Sequence, residues 1–200
     1  MAFRVAVAIS GRGSNLEALA RALDHAPVAE LAVVLSNRAS APGLDHARRR
    51  GVPAHVLADP ADGAEWLATL AEARADLLVL AGYLKLVPAP VIAAWRGRIL
   101  NIHPSLLPAF GGAGMYGARV HAAVLASGAT ESGCTVHLVD EVYDRGAILA
   151  QARVPVMPGD TPEVLAARVL AEEHRLLPRA VLAAAAAGRP VPLEPPCLAH

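Results

Sequence analysis

Two hundred residues suit one large domain or one domain plus an appendage, and a hydrophobic content of 54% leaves ample material for a core, although with only 4% aromatics that core must be leucine, valine and isoleucine. Lys+Arg and Asp+Glu balance at 18 each, which argues against a general nucleic-acid-binding or anionic-membrane surface. Two cysteines, Cys134 and Cys197, with no C-x-x-C spacing argue against a disulfide scaffold and a cysteine metal site.

In chain order, residues 3–9 (FRVAVAI) are a near-continuous apolar run, the pattern of a parallel strand covered on both faces. The run is too short to span a membrane and lacks a signal-peptide layout, so a cytoplasmic protein is expected. Ser10-Gly11-Arg12-Gly13-Ser14-Asn15 follows, then a helical pattern over residues 16–23. A strand, a glycine-rich turn and a helix aim backbone N–H groups at an anion, and Ser14 or Asn15 can cap the helix. Neither the third glycine of a dinucleotide fingerprint nor a Walker Gly-Lys-Ser/Thr is present, so a phosphate site is suggested and a dinucleotide site disfavoured.

Residues 30–35 and 51–57 read as the second and third strands, with a helix over 42–50 between them whose basic end (Arg48, Arg49, Arg50) complements its dipole. His55 is expected to be structural or solvent-facing. Residues 62–74 form a helix with Trp66, Leu67 and Leu70 on its apolar stripe, and residues 76–81 (DLLVLA) a buried fourth strand. Asn101 and His103 stand just past apolar Ile99-Leu100 and are separated by one apolar residue. In a strand they share a face, and Pro104 then turns the chain away. An amide and an imidazole at the C-terminal edge of a parallel sheet occupy the place where open α/β folds bind ligands.

Residues 108–117 (PAFGGAGMYG) suit a mobile loop beside an active site. A helix over 119–127 precedes two strands, 131–139 and 147–156, which read as an antiparallel edge hairpin around an acidic turn at Asp144. Asp160 or Thr161 caps the last helix, Pro178 is expected to kink or break it, and Gly188 ends it. The expected architecture is a single-domain, doubly wound, Rossmann-like α/β fold over residues 1–188, mostly parallel with an antiparallel edge hairpin, followed by a loosely packed Pro-rich tail, 189–200.

The Gly-x-Gly-Ser-Asn loop, Leu80-Ala81-Gly82-Tyr83, Asn101-Ile102-His103-Pro104-Ser105-Leu106-Leu107-Pro108, the Gly133-to-His137 strand and the Asp144-Arg145-Gly146 turn together resemble the folate-dependent formyltransferases, and the first of these motifs points to their glycinamide ribonucleotide branch. The resemblance runs from Val5 to about Pro178. It implies two small-molecule substrates, 10-formyltetrahydrofolate as donor and 5-phosphoribosylglycinamide as acceptor, no metal, no nucleic-acid or membrane partner, and a monomer or homodimer. It implies Asn101 as the donor to the formyl oxygen, His103 as general acid and Asp144 as the carboxylate that favours its imidazolium and helps take a proton from the amine. By the same resemblance Gly13, Ser14, Asn15 and Glu173 hold the ribonucleotide, while Leu84, Lys85, Leu86 and Val87, with Asn101 and Val139, Asp140, Glu141 and Val142, hold the folate. Pro104 shapes the wall between the substrates, and Thr135 and His137 support the centre.

Two departures stand out. The arginine that relatives carry near position 63 for the folate tail is replaced by Asp62-Gly63-Ala64, which leaves either another base such as Lys85 or a weaker grip on the tail. The loop over residues 111–117 is longer than the short form of the family. A formyltetrahydrofolate deformylase, a tRNA formyltransferase and a non-catalytic phosphometabolite-binding domain are the competing readings. The intact set Asn101, His103 and Asp144 weighs against the last.

Overall fold

The structure is a computed structural model and describes residues 1–193; the expectations for Cys197 and for the tail beyond 193 lie outside the described residues. The elements are β1 (Phe3–Ile9), α1 (Ser14–Asp24), β2 (Ala29–Ser36), α2 (Gly43–Arg49), β3 (Ala54–Val56), α3 (Gly63–Glu72), β4 (Leu77–Leu80), α4 (Ala89–Ala94), β5 (Ile99–His103), α5 (Ala118–Ala126), β6 (Glu131–Leu138), β7 (Ile148–Pro155) and α6 (Pro162–Ala187). One seven-stranded sheet carries them in the order β3-β2-β1-β4-β5-β6-β7. The four pairings from β3 to β5 are parallel. β6 and β7 form the expected antiparallel hairpin at the sheet edge, and β6 is antiparallel to β5 as well.

Alternation along β1 divides the core. Val5, Val7 and Ile9 join the cluster under α1 and α6, with Leu16, Leu19, Leu165, Val169, Leu177 and Val181. Ala6 and Ala8 face the other side, where Trp66, Leu70, Val91 and Trp95 pack. Small residues on that face leave volume for two indoles, and each fully buried large side chain stabilises the fold by about 1.5–3 kcal/mol.

Three expectations change. Ser14 and Asn15 do not cap α1; both lie inside its first turn, and Gly13 is the cap residue, at φ 76° and without a side-chain cap. A Cβ on Gly13 would come within 2.8 Å of the Gly43 Cα, so glycine there serves both the left-handed turn and the close approach of α2. Next, α6 runs through Pro178 as one 26-residue helix. Leu176, Leu177, Pro178, Ala180 and Val181 are all buried, and that packing offsets the lost backbone hydrogen bond. Finally, the start of the tail is held: the Leu193 N–H donates to the Leu149 carbonyl at 2.9 Å, and its side chain packs on the main core. His55, expected to be structural or solvent-facing, has a structural contact: its Nε2 lies 2.8 Å from Glu65 Oε1 and ties β3 to α3.

β1 has β2 on one side and β4 on the other, so chains leave their C-terminal ends in opposite directions and open a crevice. The Ser10 hydroxyl bridges it, donating to Asn37 Oδ1 (2.6 Å) and accepting from the Leu84 N–H (2.8 Å). Among the described residues no helix is long and apolar enough to cross a membrane.

Candidate active site

β5 ends in the crevice with Asn101 and His103. The antiparallel register sets His137 opposite Asn101 and Thr135 opposite His103. Asn101 Nδ2 lies 3.0 Å from His137 Nε2, and His137 Nδ1 lies 2.8 Å from the Leu138 carbonyl. A carbonyl only accepts, so Nδ1 of His137 carries the hydrogen and Nε2 accepts from the amide. His137 thereby fixes which way the Asn101 amide points. The Thr135 hydroxyl donates to the Ser105 carbonyl (2.6 Å) and accepts from the Leu107 N–H (3.0 Å), so it buttresses the turn that follows His103.

His103 is 4% exposed. Its Nε2 donates to the Phe110 carbonyl at 2.9 Å, which leaves Nδ1 facing Asp144 Oδ2 at 3.6 Å. Phe110 reaches this position at φ 55°, and Asp144 has the same φ. Left-handed backbone at a non-glycine residue costs about 1–3 kcal/mol, and here it aims a carbonyl and a carboxylate at one imidazole. Asp144 also accepts from the Gly112 N–H (2.8 Å) and stands 3.5 Å from His137 Nε2.

The nearby Asp144 carboxylate favours the imidazolium of His103, but it is not the dominant influence on that ring. Burial lowers the pKa of His103 and outweighs the pull of Asp144 and the Phe110 carbonyl in the other direction. His103 is therefore neutral near pH 7. Burial alone would raise the Asp144 carboxyl, but its hydrogen-bonding surroundings, the Gly112 N–H among them, outweigh it and hold Asp144 ionised, below the usual carboxylate range.

These groups line a cavity of about 540 Å³. Its wall includes Tyr83, Leu84, Lys85, Leu86, Val87 and Ile92, mostly apolar, with Val139, Asp140, Glu141 and Val142. It also includes Arg12, Asn15, Leu170 and Glu173. There Asn15 Nδ2 donates to Glu173 Oε2 at 2.6 Å, and burial raises the Glu173 carboxyl against that bond. Pro104 lines the cavity too, as do Gly112, Gly114, Met115, Tyr116 and Gly117, so the glycine-rich loop flanks it. Gly13, Ser14 and Thr135 do not form part of its wall.

Three wall residues escaped the sequence reading as site residues. Arg12 stands between two glycines that drew attention to the loop rather than to its side chain. Tyr83 has a buried hydroxyl without a partner and a pKa pushed up by burial to about 12. His121, on α5, is 4% exposed with Nδ1 unpartnered, and burial, with a contribution from His103, lowers its pKa. His121 sits in no local pattern that marks it, and Tyr83 closes the Leu80-Ala81-Gly82-Tyr83 motif, which drew notice as a motif and not for its side chain. Among the described residues no group of three or more His, Cys, Asp and Glu could hold a metal ion.

The protein-family model described as formyl transferase matches residues 3–181. The chain belongs to the formyl transferase family. Curated relatives include the chloroplastic phosphoribosylglycinamide formyltransferases of Vigna unguiculata, 47% identical over 86% of this chain, and Arabidopsis thaliana, 46% identical over 86%. The chain spans 58% and 62% of the length of those two proteins. Among solved structures, phosphoribosylglycinamide formyltransferase from Anaplasma phagocytophilum is 40% identical with a TM-score of 0.86, the match covering 94% of this chain and 89% of that one. The family assignment agrees with the doubly wound, mostly parallel sheet.

Proposed function

We propose that this chain transfers the formyl group of 10-formyltetrahydrofolate to the amine of 5-phosphoribosylglycinamide, a step of purine biosynthesis. The observation that carries the reading is the convergence of Asn101, His103 and Asp144 between an apolar slot and a polar pocket of one cavity. The slot suits a flat heteroaromatic donor and the pocket a hydroxylated acceptor. The names of the relatives support formyl transfer and the same acceptor.

The residues account for the chemistry as follows. The amine nitrogen attacks the formyl carbon, a carbon–nitrogen bond forms, and the carbonyl oxygen gains negative charge. Asn101, its amide oriented by His137, donates to that oxygen. His103 Nδ1, without a proton at rest, accepts one from the attacking amine, and Asp144 stabilises the imidazolium. The intermediate collapses as the bond to N10 of the folate breaks and the proton passes to N10. In this sequence of steps His103 acts as a base before it acts as the general acid that the resemblance implies. Asn15 and Glu173 hold the acceptor's polar body, and Gly13 and Ser14 offer backbone and hydroxyl donors beside it. Lys85, at the slot, serves the folate tail. We place the activity in the cytoplasm, in a monomer or homodimer.

The test is a spectrophotometric assay of the purified protein with 10-formyltetrahydrofolate. Tetrahydrofolate that forms only when 5-phosphoribosylglycinamide is added is the expected result. Equal release without the acceptor would make the protein a hydrolase of the donor and overturn the transfer reading.

A further inference from the structure

We propose that Gln151 is a positioning residue for the reaction: from the sheet edge its amide pins the turn between His103 and Phe110, so that the Phe110 carbonyl keeps the His103 proton on Nε2 and leaves Nδ1 free as the base. The proposal rests on the transfer reading above and deepens it, since it names what selects the working form of that imidazole.

A neutral imidazole has two tautomers, and two neighbours of His103 favour opposite ones. The Phe110 carbonyl, 2.9 Å from Nε2, accepts a hydrogen and has none to give, so it favours Nε2–H. The Asp144 carboxylate, 3.6 Å from Nδ1, favours Nδ1–H, the form with no base on that side of the ring. The nearer contact prevails only while the carbonyl stays in place. Phe110 sits at φ 55°, a left-handed conformation that a non-glycine residue keeps only when its surroundings enforce it.

The enforcement comes from β6 and β7. Residues 104–110 belong to no helix or strand. The Thr135 hydroxyl on β6 donates to the Ser105 carbonyl (2.6 Å) and accepts from the Leu107 N–H (3.0 Å). Gln151 Nε2 on β7 lies 2.9 Å from the Leu107 carbonyl and 3.0 Å from Thr135 Oγ1. A carbonyl only accepts, so the NH2 side of the amide faces the turn and donates to both oxygens. The Thr135 hydroxyl then has its hydrogen and both lone pairs engaged. The Ser105 hydroxyl carries the anchorage forward, donating to the Ala109 carbonyl at 2.7 Å, one residue before Phe110. Gly133 lets the turn lie this close to the sheet, since a Cβ there would fall 2.7 Å from Leu106 Cδ2. Gln151 itself is exposed on the edge strand and is not part of the cavity wall, so its effect on turnover passes through the turn.

The experiment compares the wild type with Gln151→Met, which keeps the side-chain length and loses both donors, and Gln151→Lys, which keeps a donor. The first readout is the nitrogen NMR spectrum of histidine-labelled protein at neutral pH, with the His103 signals assigned by their loss in His103→Ala. The wild type is expected to show Nε2–H, Gln151→Met a clear population of Nδ1–H, and Gln151→Lys a smaller one. The second readout is steady-state kinetics, where Gln151→Met should lower kcat about tenfold with KM for both substrates within about twofold, and Gln151→Lys should recover part of the loss. An unchanged tautomer or an unchanged kcat in Gln151→Met overturns the proposal. So does a lysine variant no better than the methionine one, which would assign the loss to packing. If the wild type proves unable to transfer formyl groups, the functional reading fails, and the tautomer spectra still decide whether Gln151 sets the state of His103.

Discussion

The two ends of the cavity's polar side are built on opposite plans. Around His103 the side chains and backbone satisfy one another: Asn101 meets His137, His103 meets the Phe110 carbonyl, and Asp144 holds the Gly112 N–H. Around Asn15 they do not, and Asn15 Oδ1 is left without a partner. The first region is preorganised and needs little rearrangement when charge develops. The second is incomplete until a ligand supplies the missing partners. A reacting centre benefits from fixed dipoles, and a binding pocket from unspent hydrogen-bonding capacity.

The largest effects should follow from breaking the satisfied region. Asn101→Ala, His103→Ala and Asp144→Asn should each lower kcat by about 10²–10⁴-fold with only modest change in substrate binding. Steady-state kinetics with isothermal titration of each substrate check this, and near-normal turnover in any of the three removes that residue from the mechanism. A subtler break is Gly111→Ala. Its Cβ would lie 2.5 Å from Leu107 Cδ2 and 3.1 Å from Asp144 Cβ, so the methyl pushes on the carboxylate without touching substrate. We expect kcat to fall by about ten- to a hundredfold with the melting profile largely kept, since small displacements of a reacting group are costly.

The pH profile sharpens the same contrast. If His103 works from its neutral form, with a pKa lowered from 6.5, kcat/KM is sustained above pH 6.5 and falls on the acid side with a midpoint below that value. An acid limb centred above 6.5 would restore the imidazolium as the resting form. The smallest effect belongs to the unsatisfied region. Glu173 is raised from 4.5 by burial, so its contribution to stability is present below that pH and lost as the pH rises through the folded value. Glu173→Gln keeps an acceptor for Asn15 and removes the buried charge. It should therefore stabilise the protein at pH 7 by about 1 kcal/mol, or about 2–4 °C, while it weakens acceptor binding. A thermal melt at pH 7 and at pH 4 tests both the gain and its disappearance in acid.

Much of this was legible in the chain. The uninterrupted apolar runs at β1, β4 and β5 mark strands covered on both faces, and the spacing of Asn101 and His103 places both side chains on one face of a strand end. What was hidden is tertiary. The rule that proline ends helices fails at Pro178 because the helix beyond it has a core to pack against. The neutral state of His103 depends on burial, which no local pattern encodes. Arg12, Tyr83 and His121 are single residues brought to one wall by β1, β4 and α5; Arg12 and Tyr83 lie in motifs that drew notice, but nothing local says that these side chains reach a cavity.

The anchoring of the loop after Pro108 has a further consequence. Its contacts with the reacting groups end at Phe110 and Gly112, and α5 restarts regular structure at Ala118. The five residues between form a bounded module. They can lengthen, shorten or change composition while the imidazole and the carboxylate keep their partners. Acceptor access and bond chemistry are thus separately adjustable, and one catalytic frame can be refitted for different acceptors by exchanging that short segment alone.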